Sequence, residues 1–519
     1  MELIQKAIRY QQEGRRTFDQ FYIDEEYNVP DSKEDIQEIV YGKGNIKIED
    51  MKLMENYVRI SGKLYFQILY MTAQSDSTAS VLEGKIPFEE MVYTDSQQNE
   101  QYFIQNTRIE FGANLVHSRK VSIRTMVELE LGREQLREEN TTVDLECEQS
   151  IFKKMRTVNL LKLHTSKNDT YRIKEELTLS GTKESIGQIL LTNVTSRKLE
   201  IRTSTDALLL RGELSVFCMY LSEEGKADWI EQNLPYEGRV ECSGAEDEMY
   251  YHIHSSLEDA VIDVRMDEDG EMRILGIEGT LCLRIHLYEE EEMELLEDMY
   301  SLEKKVDFTT REAIYEELEL QKYSKHKVME SLALPELKED VLQICYSDGS
   351  VQVERTEIRD KNHPEGSGIF IEGILHVTFL YLKSDDQMPF GSWQGMIPFS
   401  YVIDCPQMSE EMQYQLSYHV EQLSITMTGS ESVDVKAIVA FDLFLRKAIK
   451  MQVITEVSLS EIPTKELEKR PGIVGYIVKS GDDLWSLAKR YMTTEDRMKE
   501  MNHLETEILK PGEKLIISR

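Results

Sequence analysis

The chain has 519 residues, 40% of them hydrophobic, and a formal charge of −36 at neutral pH. That length exceeds one hydrophobic core and predicts three or four folded domains rather than a disordered scaffold. The charge works against binding nucleic acid or anionic lipid by bulk electrostatics, because phosphates are repelled rather than neutralised.

In chain order, "MELIQKAIRYQQEG" comes first. Leu3, Ile4, Ala7 and Ile8 fall on one face at helical spacing, so a helix is expected here. Glu2, Lys6, Arg9, Glu13, Arg15 and Arg16 interrupt the apolar residues and leave no signal-peptide core. No run of about 18 apolar residues follows, so the expectation is a cytoplasmic chain without a transmembrane segment. Cys147, Cys218, Cys242, Cys282, Cys345 and Cys405 form no C-x-x-C pair and are read as reduced, mostly buried thiols.

The chain then repeats itself three times. A lysine-led element, "KEDIQEIV" from Lys33, recurs as "KESIGQIL" from Lys183 and "KEDVLQIC" from Lys338. A glycine-centred apolar element follows: "RISGKLYFQILYM" (59–71), "LLLRGELSVFCMYL" (208–221) and "IFIEGILHVTFLYL" (369–382). Next comes a proline motif: "GKIPFEEMV", "QNLPYEGRV" and "GMIPFSYVI", with Gly-to-Pro spacings of 25, 23 and 25 residues (Gly62–Pro87, Gly212–Pro235, Gly373–Pro398). A fourth element closes each copy: "VSIRTMVELEL", "RILGIEGTLCLRIHLY" and "VDVKAIVAFDLFL". Four elements in one order predict three tandem homologous domains, at 1–150 with the N-terminal helix, 151–305 and 306–466.

Partial alternation, β-branched and aromatic residues, and turn signals such as Asp269-Gly270 make each copy mainly β and sandwich-like. "SEEGKAD" and "KSDDQMPFGS" read as the loops between the glycine and proline elements. The recurring glycine and proline mark close backbone approach and an edge strand, an architectural need rather than a site.

Motifs for chemistry are lacking. There is no phosphate loop, zinc helix or nucleophile elbow, and "YGKGN" (41–45) lacks the third glycine and the helix of a nucleotide fingerprint. His252 and His254 share one side of an expected strand but lack a third ligand nearby. "DEDG" (267–270) lacks the oxygen ladder of a calcium loop. "EEEEMELLEDMY" (289–300) reads as a solvated strand or loop face. No catalytic, cofactor-binding or metal-binding residue is assigned, and the chain is read as non-enzymatic.

After a linker at 467–472, the texture changes. Residues 471–519 hold eight basic and eight acidic residues, so the negative charge belongs to the rest of the chain. "GYIVKSG" reads as a strand. "DDLWSLAKRY" reads as a helix capped by Asp482 or Asp483, with Leu484, Leu487, Ala488 and Tyr491 as its core stripe. Thr493 or Thr494 opens a second helix with Met498, Met501 and Leu504 inward, and a turn at Pro511-Gly512 leads to a last strand. The order is βααβ, a small α+β unit behind a mainly β chain.

This module resembles a LysM domain on Tyr476, Val478, Gly481, Asp482, Leu484, Trp485, Ala488, Tyr491, Asn502, Leu509, Pro511, Gly512, Leu515 and Ile517. The resemblance implies a binding groove between Ser480–Leu484 and 507–511, whose usual ligand is an N-acetylglucosamine polymer. Asp483 stands where the family usually has threonine and places a second carboxylate at the groove. Lys479, Ser480, Gly481, Asp482, Asp483, Leu484, Trp485, Lys489, Ile508, Leu509 and Pro511 are the expected partner- or glycan-binding residues. Trp485 lies one position off the core stripe, as half-buried packing or as an anchor for a protein partner.

Ile60, Gly62, Leu64, Ile86, Pro87 and Phe88 resemble the SPOCS domain of spore-coat proteins. The third copy keeps the pattern at Ile371, Gly373, Leu375, Ile397, Pro398 and Phe399, and the second has Tyr236 in place of phenylalanine. Three such repeats before a LysM module are similar to the SipL-like family of coat-morphogenetic proteins from spore-forming Firmicutes. The resemblance implies a structural adaptor in the mother-cell cytoplasm, at the forespore surface. Its LysM module would dock on the coat-basement morphogenetic ATPase, with other spore-coat proteins as further partners. The alternative implied ligand is peptidoglycan or another N-acetylglucosamine polymer.

Overall fold

A computed structural model describes residues 1–72, 79–95, 100–337, 341–384, 389–429, 431–463, 472–504 and 506–518. Lys338 to Asp340, which open the third lysine-led element, most of the linker, and Asp385 to Met388 of the expected loop "KSDDQMPFGS" lie outside the described residues.

The first repeat comprises β1 (Glu2–Glu13), β2 (Thr17–Asn28), β3 (Ile36–Leu53), β4 (Tyr57–Thr72), β5 (Ala79–Tyr93), β6 (Gln101–His117) and β7 (Lys120–Glu146). The second holds β8 (Phe152–Thr178), β9 (Ile186–Ser204), β10 (Ala207–Ser222), β11 (Ala227–Glu241), β12 (Tyr250–Met266) and β13 (Met272–Tyr300). The third holds β14 (Lys304–Ala333), β15 (Val341–Arg359), β16 (Gly368–Lys383), β17 (Phe390–Asp404), β18 (Met412–Met427) and β19 (Ser432–Glu461). Each repeat faces one antiparallel sheet (β3-β4-β5, β9-β10-β11, β15-β16-β17) with a second built on β7, β13 or β19. The inward residues of the two sheets form a separate core in each repeat. The chain is mainly β with repeated β-rich units, as the alternating pattern requires.

The recurring glycine and proline have one explanation in all three copies. Gly62, Gly212 and Gly373 stand directly across from Phe88, Tyr236 and Phe399 in the central hairpin. A Cβ on these glycines would come within 2.9, 2.6 and 2.8 Å of those rings, so the missing side chain gives each aromatic its place. The preceding proline, Pro87, Pro235 or Pro398, lies on β5, β11 or β17, each at the edge of its sheet, where a missing N–H breaks no ladder. The hairpin expected at Asp269-Gly270 joins β12 to β13, with Gly270 at φ 83°.

The opening segment is a strand, not a helix. Residues Glu2–Glu13 pair antiparallel with β7, from Glu2 opposite Glu146 to Glu13 opposite Glu134. An isolated helix of this length is marginal in water. The ladder instead buries Ile8, Tyr10 and Gln11 against residues more than a hundred positions away.

The closing strands are long because they serve two structures. Beyond Glu134, Tyr288 and Lys447 they leave the sandwich and continue as two-stranded ribbons, β7 with β1, β13 with the start of β8, and β19 with the start of β14. The three ribbons pack together through Ile8 of the first, Leu160 and Leu295 of the second, and Tyr315 and Met451 of the third. The acidic run at 289–300 is one edge of this stalk: Glu290, Glu292 and Glu294 are exposed, while Met293, Leu295 and Met299 are buried. At the other end the sheets meet in a shared core of Tyr41 and Leu69, Leu191 and Phe217, and Tyr346 and Leu380. The repeats therefore form one body, joined by shared cores at both ends, rather than beads on a string.

A buried ionic layer lies where sandwich turns into stalk. The Arg446 side chain, 1% exposed, donates to Glu316 at 2.8 Å and to the Gln11 carbonyl at 3.4 Å, with Glu13 at 3.6 Å. Gln11 in turn bonds Glu134 and accepts from the Tyr288 hydroxyl, and Arg284 pairs with Glu134. Residues from all three repeats complete this layer. The six cysteines are free thiols, four buried and two half-buried.

Candidate docking module and its seat

The C-terminal module has the expected βααβ order: β20 (Ile473–Ile477), α1 (Leu484–Tyr491), α2 (Glu495–Asn502) and β21 (Lys514–Ser518). β20 and β21 pair antiparallel, Ile473 opposite Ser518 and Ile477 opposite Lys514. Val478, Leu484, Leu487, Ala488, Met498, Leu515 and Ile517 are buried in one core. Met501, expected inward, is exposed, because α2 is only two turns long and Met498 already fills its inner face. Asn502, the last residue of α2, ties the helix to the final strand. Its Nδ2 donates to the Met498 and Ile516 carbonyls, and its Oδ1 accepts from the Ile516 amide, which pins α2 to β21.

The expected groove loops lie side by side. Val478 accepts from the Gly512 amide at 2.8 Å and donates to the Glu513 carbonyl at 2.9 Å, which places Lys479–Asp483 next to the turn at 510–513. Lys479, Ser480, Gly481, Ile508 and Pro511 are exposed there, and Leu509 is half-buried in the core. Gly481 has φ 91°, a conformation that glycine tolerates. Asp482 accepts from the Tyr476 hydroxyl and the Lys479 amide, both at 2.8 Å. The Lys479 amide and the Tyr476 hydroxyl hold its carboxyl below the usual carboxylate range.

Asp483 is not free at the groove. It is the N-cap of α1, accepting from the Ser486 amide at 2.7 Å, and its second oxygen lies 3.5 Å from Lys154 of β8. Partial burial pulls its carboxyl up, but the Ser486 amide and Lys154 outweigh this and the net shift is downward. A depressed folded value means that the cap stabilises the module above the unfolded value of about 4 and weakens as pH falls through the folded one. Asp483→Ala is expected to cost the module about 1 kcal/mol at pH 7. Asp483→Thr should retain most of it, and the gap between parent and Asp483→Ala should close below about pH 4 in thermal unfolding. An equal gap at pH 3 and pH 7 would remove the charged cap.

Trp485 is not a free anchor. It is 8% exposed, packs edge-on against Tyr300 at 4.9 Å between ring centroids, and donates its Nε1 hydrogen to Asp298 at 2.8 Å. Lys489, one turn along, also pairs with Asp298 and lies over the Phe308 ring at 5.1 Å. The Tyr300 hydroxyl donates to the Thr493 carbonyl at 2.9 Å, and its ring stacks on Phe152 at 5.1 Å. Asp298 and Lys154 are cross-strand neighbours on β13 and β8. Together they grip Lys489 and Asp483 with opposite charges. The module is thus seated on the end of the second repeat's ribbon, through residues expected to meet a partner.

Of four exposed isoleucines here, only Ile508 was expected at the site. Ile473, Ile477 and Ile516 are 68%, 59% and 51% exposed on the outer face of β20–β21, with Ile508 79% exposed on the neighbouring loop. "GIVGYIV" and "EKLIIS" signal this, since apolar residues occupy both alternating faces.

His252 and His254 are on β12, and His252 is buried opposite His286. Among the described residues no group of three or more metal-ligating side chains occurs. Among them, no helix is long and apolar enough to cross a membrane.

Fold and seat define a tandem-repeat β protein that carries a βααβ binding module. Residues 35–110, 185–265 and 340–428 match the family described as SipL, SPOCS domain, and residues 476–518 match the LysM domain. The chain is thus a sporulation-related protein with three SPOCS domains and a C-terminal LysM module, domain types that serve binding and structure. No solved structure matches it.

Proposed function

We propose that the chain is a non-enzymatic structural adaptor of spore envelope assembly. It works in the mother-cell cytoplasm at the forespore surface. The LysM module docks on the coat-basement morphogenetic ATPase, and the three-repeat body helps that scaffold encase the forespore. The observation that supports this reading is the open isoleucine face of β20–β21, held outward because α1 is committed to the body. Lys479 and Lys514 border that face and would add cationic contacts to an apolar one. Purified coat-basement ATPase should bind the full chain and fail to bind a chain ending at residue 466. Ile477→Glu with Ile516→Glu should weaken binding at least tenfold, about 1.4 kcal/mol. Equal binding by the truncated chain would sink the reading.

A second reading rests on the paired loops at 479–483 and 507–511. With Asp483 turned to the Ser486 amide and Lys154, the extra carboxylate no longer obstructs a neutral glycan. Co-sedimentation with peptidoglycan, lost on Gly481→Trp but not on the isoleucine variants, would favour it.

A further inference from the structure

Three homologous repeats that close on each other present similar apolar surfaces, and apolar packing alone discriminates poorly between one repeat and another. In the shared core, β3, β9 and β15 supply Tyr41, Leu191 and Tyr346 at matching places. Two residues further on, ten past Lys33, Lys183 and Lys338, stand Lys43, Asn193 and Asp348. One is a cation, one a neutral amide and one an anion.

Two of these side chains meet directly, and the third acts on the same ammonium through its charge. The Lys43 ammonium donates to Asn193 Oδ1 at 3.2 Å and to the Thr192 carbonyl. The charge of Asp348 acts on that ammonium and on the Tyr41 and Tyr346 hydroxyls, and Glu83 adds a second negative field at Lys43. The residues are half-buried beside the three-way core, where an unmatched charge is costly. The ionic layer above the stalk is heterotypic in the same way: Glu13 and Glu134 come from the first repeat, Arg284 from the second, Glu316 and Arg446 from the third.

We propose that Lys43, Asn193 and Asp348 form a registration key that fixes the cyclic order of the repeats and excludes a second copy of any one repeat, from this or another chain, from its neighbour's place. A first repeat facing another first repeat would set two ammonium groups together. Two third repeats would set two carboxylates together. Only one of each repeat brings the Lys43 ammonium to both the Asn193 amide and the charge of Asp348. A single polar residue that fixes register and partner number in a coiled coil acts on the same principle.

The test uses the full chain with Lys43→Asp, Asp348→Lys and the exchange of both. Each single variant places like charges at the centre and should lower the unfolding midpoint by on the order of 5 °C. Each should also add higher-mass species on sedimentation relative to the parent. The exchange should recover most of both losses. Additive losses in the exchanged chain, or single variants that match the parent, would overturn the key. Should Asp348→Lys fail to fold, Lys43→Gln with Asp348→Asn replaces it. That neutral pair should keep the midpoint near the parent's while broadening the distribution of species. An unchanged distribution there would overturn the key as well.

Discussion

Arg446→Ala is expected to cost about 3–5 kcal/mol, one of the largest losses available to a single substitution in this chain. The guanidinium lies in the buried layer between the repeats and serves Glu316, Glu13 and the Gln11 carbonyl. Its removal strands two carboxylates that burial already pushes above the usual range despite Arg446. The sign of the pH dependence follows. A carboxyl raised in the folded state costs stability while ionised, and protonation relieves the cost. The deficit of Arg446→Ala should therefore be larger at pH 8 than at pH 5.5, measured by denaturant unfolding at both values. Adding Glu13→Gln and Glu316→Gln should return much of the loss, because no buried charge is then left alone. His286, beside Glu134 at 3.5 Å, gives no competing titration in this window, since burial and then Arg284 and Arg446 push it down to about 3. A pH-independent deficit would mean that Glu13 and Glu316 reach water once Arg446 is gone.

How much of this was legible in the sequence follows from the range of the interactions. The repeats and the LysM module were legible because their signals are local: a Gly-to-Pro spacing across one hairpin, Asp-Gly at a turn, a cap followed by a helical stripe. The Gly62–Phe88 relation was half legible, since the pattern showed both residues but not that one ring covers the other's backbone. The N-terminal strand was not legible. Leu3, Ile4, Ala7 and Ile8 carry a real helical period, and only pairing with residues 134–146 overrides it. Trp485 was left open between packing and a partner anchor for the same reason: its cover comes from Asp298 and Tyr300 on a distant strand. Lys43, Asn193 and Asp348 are matched in sequence, yet nothing local shows that three such positions converge. What brings them together is closure of the repeats, a property of the body and not of any segment.

The second large effect belongs to Trp485→Ala. A buried tryptophan in a small core costs about 3–5 kcal/mol when truncated. This core has little to spare, with two five-residue strands and two eight-residue helices. The variant also loses the contact with Tyr300 and the bond to Asp298, so the module both loosens and leaves its seat. Amide exchange should rise throughout α1 and β21 while β4, β10 and β16 keep their protection, because the repeat cores share no side chain with Trp485. Asp298→Ala separates the two effects. It removes the seat for both Trp485 and Lys489 but no side chain of the module itself, so α1 and β21 should stay protected while the Trp485 fluorescence shifts toward a wetter environment. If docking on the ATPase uses the isoleucine face, Asp298→Ala should bind nearly as well as the parent, and Trp485→Ala should lose binding in step with the module's unfolding. Loss of binding in Asp298→Ala with a protected module would instead show that the partner reads the LysM module and its seat as one surface. Unchanged exchange in Trp485→Ala would dismiss the internal role altogether.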